Sequence, residues 1–366
     1  MGGRSADLTA GLDRASGAED LFRRTSARLR RMVPFDAAVW TATDPETGLV
    51  TAPMLVEGLG GRERCADYWE SEILEENVVP FRDLARAAVP AAGLRAATGD
   101  VPGRSARFRR LLEDQGVHDE LRAVLRAAGR PWAVVSLFRS AGGPGGGSFA
   151  PDEVDAVAAL SGPLAARLRR FARPSGPEPL PDAPGPGLVL FDLSGEATSI
   201  NAEAREHLAR VPDGPSVPSA LGVRLPIWVI GTALQATAIA RGRDRGGARV
   251  RVRTVEGRWL VCHASALTGA DGRPGPVALV IEPAAASDLV VIVAEAYELT
   301  PRELEITGQV ARGLSTGEIA ERLFISPHTV RDHLKTVFEK TGVSSRGELV
   351  ARLFAEHYWP RARPAP

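Results

Sequence analysis

The 366-residue chain has little of what many function classes require. Two cysteines, Cys65 and Cys262, are too few for a disulfide framework or for a zinc site of their own. Net charge is absent: 45 basic side chains balance 45 acidic ones. The whole molecule therefore has no attraction for polyanions or anionic membranes, and any such contact needs a local patch. No stretch approaches the ~18 apolar residues of a membrane span. The opening MGGRSADLTAGLDRASG lacks the apolar core of a signal peptide. A cytoplasmic location is the default expectation. There is no G-x-S-x-G nucleophile motif, and the glycine-rich loop 142–148 lacks the GK[ST] ending of a P-loop. His118, His207 and His263 lack metal-ligand spacing, so neither metal nor cofactor is expected. Lysine is nearly missing, with arginine supplying the other cations. GC-rich coding explains that bias, but both lysines, Lys335 and Lys340, fall in one short C-terminal segment.

What is present suggests several domains. Six prolines in RPSGPEPLPDAPGP, residues 173–186, fix φ and remove donors, so this stretch reads as an extended spacer. Before it, residues 18–33 have apolar spacing for a helix, DAAVWTA and PWAVVSLFRS read as buried strands, and 151–171 returns to helix. After it come two short strands and a helix that Asn201 can cap, then a helix over 226–240. Alternating strands follow over 248–254, 258–267 and 276–281, with turns at Glu256-Gly257 and Asp271-Gly272. SDLVVIVAEAY, residues 287–297, is either a last strand or a connecting helix. The absence of an internal turn signal favours the helix.

Residues 299–355 hold four helix starts. Thr300 with Glu303, Ser315 with Glu318, and Ser345 with Glu348 have capping-box spacing, while Ser326 precedes Pro327 at a fourth start. Gly313 and Gly342 stand where helix ends favour a left-handed residue. The short gap between the second and third helices suits a helix-turn-helix, whose second member enters the major groove. On a helical wheel, Val330, Leu334, Val337 and Phe338 share one arc. His328, Asp332, Lys335 and Thr336 project oppositely, with Arg331 and His333 on the flanks. The last helix carries two apolar lines, Leu349 with Leu353 and Val350 with Phe354, together wider than one core face needs. Leu349, Val350 and Leu353 are the expected dimer residues.

These motifs carry three resemblances. LTPRE, GLS-x-x-EIA, S-x-x-TV-x-x-HL and F-x-K-x-GV resemble the DNA-binding module of LuxR-type (GerE-type) transcriptional regulators. Where that family usually has a lysine or similar residue, His328 stands. The element order of 187–284, with Asp192, Gly195 and Asn201, resembles a PAS domain, and the layout of 18–172 resembles a GAF domain. The expected architecture is multidomain α+β: a flexible N-terminus (1–17), a GAF-like α/β sensor domain (18–172), the spacer (173–186), and a PAS-like domain (187–284). A connecting helix (285–298), an all-α four-helix helix-turn-helix module (299–355) and a flexible tail (356–366) complete it.

The LuxR resemblance implies a non-enzymatic regulator that binds an inverted repeat of double-stranded DNA as a homodimer. Arg331, Asp332 and Lys335 are then base-edge candidates, and His328 and Thr336 lie on the same front. Thr329, His333 and Lys340 serve as phosphate or scaffold contacts. The front domains would sense a small-molecule effector or partner protein through apolar pockets, with Trp40, Trp69, Trp132, Phe191, Trp228 and Trp259 as wall candidates. RNA polymerase is a further expected partner, and membrane is not. Two alternatives remain: a constitutive DNA-binding dimer whose front domains only scaffold, and a DNA-tethered enzyme. The lack of paired carboxylates, Ser/His or Cys/His at recognisable spacing counts against the enzyme. Over 299–355 eight basic side chains meet seven acidic ones, so one copy should bind DNA weakly.

Overall fold

The computed structural model describes residues 11–59, 65–143, 146–173 and 184–354. The expected flexible N-terminus up to residue 10, most of the proline-rich spacer and the tail 356–366 lie outside the described residues. The chain divides into two compact units, residues 1–168 with 184–283, and 169–183 with 284–366. The first is mixed α+β and the second is helical among its described residues.

The first unit begins with helix α1 (Ala18–Leu29), strands β1 (Ala37–Thr43) and β2 (Val50–Glu57), and helix α2 (Cys65–Leu74). Strands β3 (Ala91–Gly93), β4 (Val117–Ala127) and β5 (Arg130–Ser140) follow, then α3 (Pro151–Ala159) and α4 (Ser161–Phe171). The strands form one antiparallel sheet in the order β2-β1-β5-β4-β3, with Trp40 facing Leu55 on one side and Val135 on the other. Two helices differ from expectation. α1 stops at Leu29, leaving Met32 beyond it and exposed. The single helix expected over 151–171 is two, because Pro163 withholds a donor from any continuous helix. The chain restarts at Ser161, whose hydroxyl donates to the Val124 carbonyl at 2.7 Å and accepts from the Arg126 N–H at 3.0 Å.

The second part of this unit has β6 (Gly187–Phe191), β7 (Ala197–Ile200), α5 (Ala202–Ala209), the hairpin β8 (Ser216–Pro218) and β9 (Arg224–Pro226), and α6 (Ile227–Ala240). β10 (Arg249–Arg253), β11 (Trp259–Thr268) and β12 (Pro274–Pro283) complete a sheet ordered β10-β11-β12-β6-β7. Asn201 caps α5, its side-chain oxygen accepting from the Ala204 N–H at 3.0 Å and the Leu188 N–H at 2.7 Å. Gly187 lets β6 pass this helix closely: a Cβ there would lie 2.6 Å from the Ala204 Cα.

α6 is apolar around nearly its whole circumference, the pattern of a helix buried on more than one side. It packs on β11 and β12 with one face and on α2 and β2 with another. Ile227 joins the cluster of Trp69, Val50 and Val134, whereas Trp228 and Val229 belong to the core beneath the second sheet. The edge strands also meet through charge. Arg251 donates to both Asp44 carboxylate oxygens, at 2.9 and 2.8 Å, and both side chains are almost wholly buried. Thr51 Oγ1 donates to the Arg251 carbonyl at 2.6 Å and Thr47 Oγ1 to that of Arg249 at 2.9 Å. The two expected sensor segments therefore share a core and a buried ion pair.

Candidate nucleic-acid interface

The second unit contains α7 (Ala286–Ala296), α8 (Pro301–Ala311), α9 (Thr316–Leu323), α10 (Pro327–Thr341) and α11 (Arg346–Phe354). The segment 287–297 is helical, and its last turn is braced from 169–173. Arg169 pairs with Glu298 at 2.9 Å, and Arg173 lies over the Tyr297 ring.

The local signals of the sequence produce the four following helices. Thr300 Oγ1 accepts the Glu303 N–H while a Glu303 oxygen accepts the Thr300 N–H at 2.8 Å. Ser315 and Glu318 exchange the same two bonds. Ser326 Oγ accepts the Thr329 N–H at 3.0 Å. At the fourth start Ser345 Oγ accepts the Glu348 N–H at 3.1 Å, but the Glu348 carboxylate reaches Ser344 rather than Ser345. These N–H and hydroxyl donors hold the Glu318 and Glu348 carboxyls below the ordinary carboxylate range. Gly313 and Gly342 close α8 and α10 with φ of 83° and 67°.

The turn between α9 and α10 has a feature the sequence did not signal. Phe324 occupies the left-handed region, φ 53°, where glycine is the usual residue, and its side chain is 95% exposed. Arg302 reaches across to donate to the Leu323 carbonyl at 2.9 Å, satisfying an end of α9. Arg346 ties the start of α11 to that of α9 through the Leu314 carbonyl and Thr316 Oγ1.

α10 is two-faced. Val330, Leu334 and Val337 are buried and Phe338 is half-buried. His328, Arg331, Asp332 and Lys335 are exposed on the other side, with Thr329, His333 and Thr336 half-buried at its margins. Arg331 and Lys335 have no hydrogen bond or ion pair among the described residues. Asp332 is paired with His328, Nδ1 to Oδ2 at 2.9 Å. Thr336 Oγ1 is turned back onto the Asp332 carbonyl at 3.2 Å.

Lys340 lies apart from this front. Its ammonium sits 2.6 Å from a Glu303 carboxylate oxygen and 2.9 Å from the Glu298 carbonyl. Burial would raise the Glu303 carboxyl, but Lys340 and the Thr300 N–H hold it below its ordinary value. Lys340 is thus committed within the helical unit. The expected dimer residues need correction as well. Leu349 and Leu353 are buried in the monomer, because their line of α11 packs inward, and only Val350 keeps a partly exposed side chain.

Among the wall candidates of the first unit, Trp69 lines a cavity of about 40 Å³, with Val39, Met54, Tyr68, Leu111 and Phe138. Trp40, Trp132, Phe191 and Trp228 are buried core residues outside that lining, and Trp259 is half-buried. Tyr68 is the cavity's link to a buried charged cluster that the sequence did not signal. Its hydroxyl donates to Glu120 at 3.0 Å and contacts Ser136 Oγ at 2.8 Å. Arg107 binds Glu120 at 2.7 Å and Glu72 at 2.9 Å, while Arg122 binds Glu72 at 2.6 Å and lies over the Phe81 ring. Burial, reinforced by the Glu120 charge, pushes the Tyr68 phenol up to about 12. Burial alone would raise the Glu120 carboxyl as well, but Arg107 and Arg122 hold it below its ordinary value.

Among the described residues no His/Cys/Asp/Glu cluster could hold a metal ion, and no helix is long and apolar enough to cross a membrane.

Comparison with known proteins bears on the C-terminal helices. Residues 297–353 match the family model described as GerE, bacterial regulatory proteins, luxR family. An HTH-type transcriptional regulator of Mycobacterium bovis is 50% identical over 52 residues, 14% of this chain and 6% of that protein. The monoamine regulon transcriptional regulator of Klebsiella aerogenes is 50% identical over 54 residues, 15% of this chain and 24% of that protein. The transcriptional regulatory protein UhpA of Escherichia coli is 43% identical over 56 residues, 15% and 29% respectively. The chain thus spans less than a third of the length of these curated relatives. Among solved structures, Escherichia coli SdiA aligns over 96% of both chains at 12% identity, with a TM-score of 0.31. With the capped helices and the two-faced α10, the family match identifies residues 297–353 as a LuxR-type helix-turn-helix domain.

Proposed function

We propose that this chain regulates transcription by binding double-stranded DNA through α10, as a dimer on an inverted repeat. The observation that carries this is the exposed row on α10, where Arg331 and Lys335 project unpaired from a helix whose other face is locked into the core. A cation held that way can reach guanine O6 and N7 in the major groove. The module's near-neutral charge supports the dimer: two copies double the phosphate contacts that one copy lacks. A two-fold dimer places its α10 helices about one DNA turn, ~34 Å, apart. RNA polymerase is the expected further partner of such a regulator. The test is titration of the full chain against labelled duplex DNA at two salt concentrations. Binding that weakens as salt rises supports the reading, and no binding at low salt refutes it.

For the first unit we propose a GAF-like domain followed by a PAS-like domain that together receive a signal. Numbering each five-stranded sheet from its own first strand gives one order, 2-1-5-4-3, in both, which supports two modules of related plan. The cavity beside Trp69 is the ligand candidate. At about 40 Å³ it holds no more than a few waters, each needing ~10–15 Å³, so an effector must widen it. A molecule that binds there raises the melting temperature of the full chain by mass action. If no co-purified or screened small molecule does so, the front unit is a scaffold, which is the second reading.

A further inference from the structure

The exposed front of α10 carries two acids, Glu339 near its C-terminal end and Asp332 among the base-edge candidates. Asp332 lies between Arg331 and Lys335 in the row that faces DNA under the proposed function, and the present inference rests on that reading. Its side-chain partner is neither of them but His328, one turn earlier, at 2.9 Å. A carboxylate there is repelled by phosphates, so its placement calls for a specific donor on the DNA. The major groove offers two kinds of amino donor, cytosine N4 and adenine N6. Adenine sets its N7 acceptor beside the amino group, which a carboxylate's second oxygen repels and an amide matches. Cytosine presents its amino group alone.

We infer that Asp332 reads cytosine, accepting from its N4 amino group, and that His328 is the positioning residue that aims the carboxylate. His328 Nδ1 engages Oδ2, leaving Oδ1 for one donor from the groove. The guanine paired with that cytosine, or a neighbouring one, presents O6 and N7 to Arg331 or Lys335. Acid and base on one helix front thus divide a G·C pair between them. Both members of the pair are largely exposed, at 79% and 66%, and exposed pairs add little to stability. Replacing either one leaves the fold intact, so a change in readout reports on DNA.

The test selects bound sequences from a duplex pool with a randomised central segment, using the full chain and three variants. For the wild type, each half-site of the recovered pool carries cytosine at one position, favoured about 10-fold or more. Asp332→Asn moves that preference to adenine, which an amide matches. His328→Ala loses the preference there while the remaining positions persist. His328→Gln keeps a donor one turn before Asp332 and retains cytosine. A pool unchanged by Asp332→Asn, or by His328→Ala, overturns the inference while leaving DNA binding in place. No enrichment by the wild type overturns the DNA reading and this inference together.

Discussion

The two lysines of this chain look equivalent in sequence, five residues apart on one helix, yet the structure gives them different work. Lys335 stands unpaired on the exposed front, whereas Lys340 neutralises the nearly buried Glu303. Lys340→Ala leaves that carboxylate without its cation and should destabilise the helical unit by about 1–3 kcal/mol, seen as a lower melting temperature. Lys335→Ala should keep stability within about 0.5 kcal/mol and cost about 1–3 kcal/mol on the preferred DNA. Equal melting temperatures for the two variants would contradict the division. At this scale legibility follows distance along the chain. The caps at Thr300, Ser315 and Ser326 were readable because each bond spans three residues. The Lys340–Glu303 pair spans 37, and nothing local announces it.

Among the elements, α11 and β4 show opposite sides of the same lesson. The apolar lines of α11 were visible, but which one packs inward depends on neighbours that only the fold supplies. Leu353→Glu puts a charge at a position 2% exposed and should unfold the helical unit. Val350→Glu should leave it folded and abolish the dimeric DNA complex in sedimentation velocity. A folded Leu353→Glu, or a Val350→Glu that still forms the dimeric complex, would refute the assignment. β4 escaped the sequence reading because VHDELRAVLRA has no apolar alternation: Asp119, Glu120 and Arg122 are all buried. The strand hides Glu120 and Arg122 in ion pairs, while the Asp119 carboxylate accepts the backbone N–H groups of Arg95, Glu120 and Phe149. The lowered Glu120 carboxyl fixes the sign of the acid response. A carboxyl held below its unfolded value stabilises the fold above the ordinary range near ~4.3 and loses that contribution as pH falls below it. The first unit should therefore lose stability on acidification below pH ~4, and Glu120→Gln should flatten that dependence in pH-resolved thermal melts.

For the whole molecule, the proline-rich spacer suggested independent beads, but the sheets before and after it share one compact unit. The hydrophobic pattern of α6 foretold a helix and could not foretell that its second face would seat against α2 and β2. Nor could the sequence pair Asp44 with Arg251, 207 residues away. Asp44→Ala leaves the almost fully buried Arg251 guanidinium with Glu46 as its remaining carboxylate and should destabilise this unit by about 1–3 kcal/mol. A loss of less than about 1 kcal/mol would mean that the two sheets do not depend on this contact.

Under the proposed function, DNA readout by α10 depends on the unpaired cations of its exposed face. Its most direct test is the affinity of the full-length double variant Arg331→Ala/Lys335→Ala for a duplex selected by the wild type, measured by fluorescence anisotropy beside a thermal melt. The melt should be unchanged and the affinity should fall by about 2–6 kcal/mol, 30-fold or more. An unchanged affinity with an unchanged melt would contradict that dependence and move the DNA contact elsewhere on the chain.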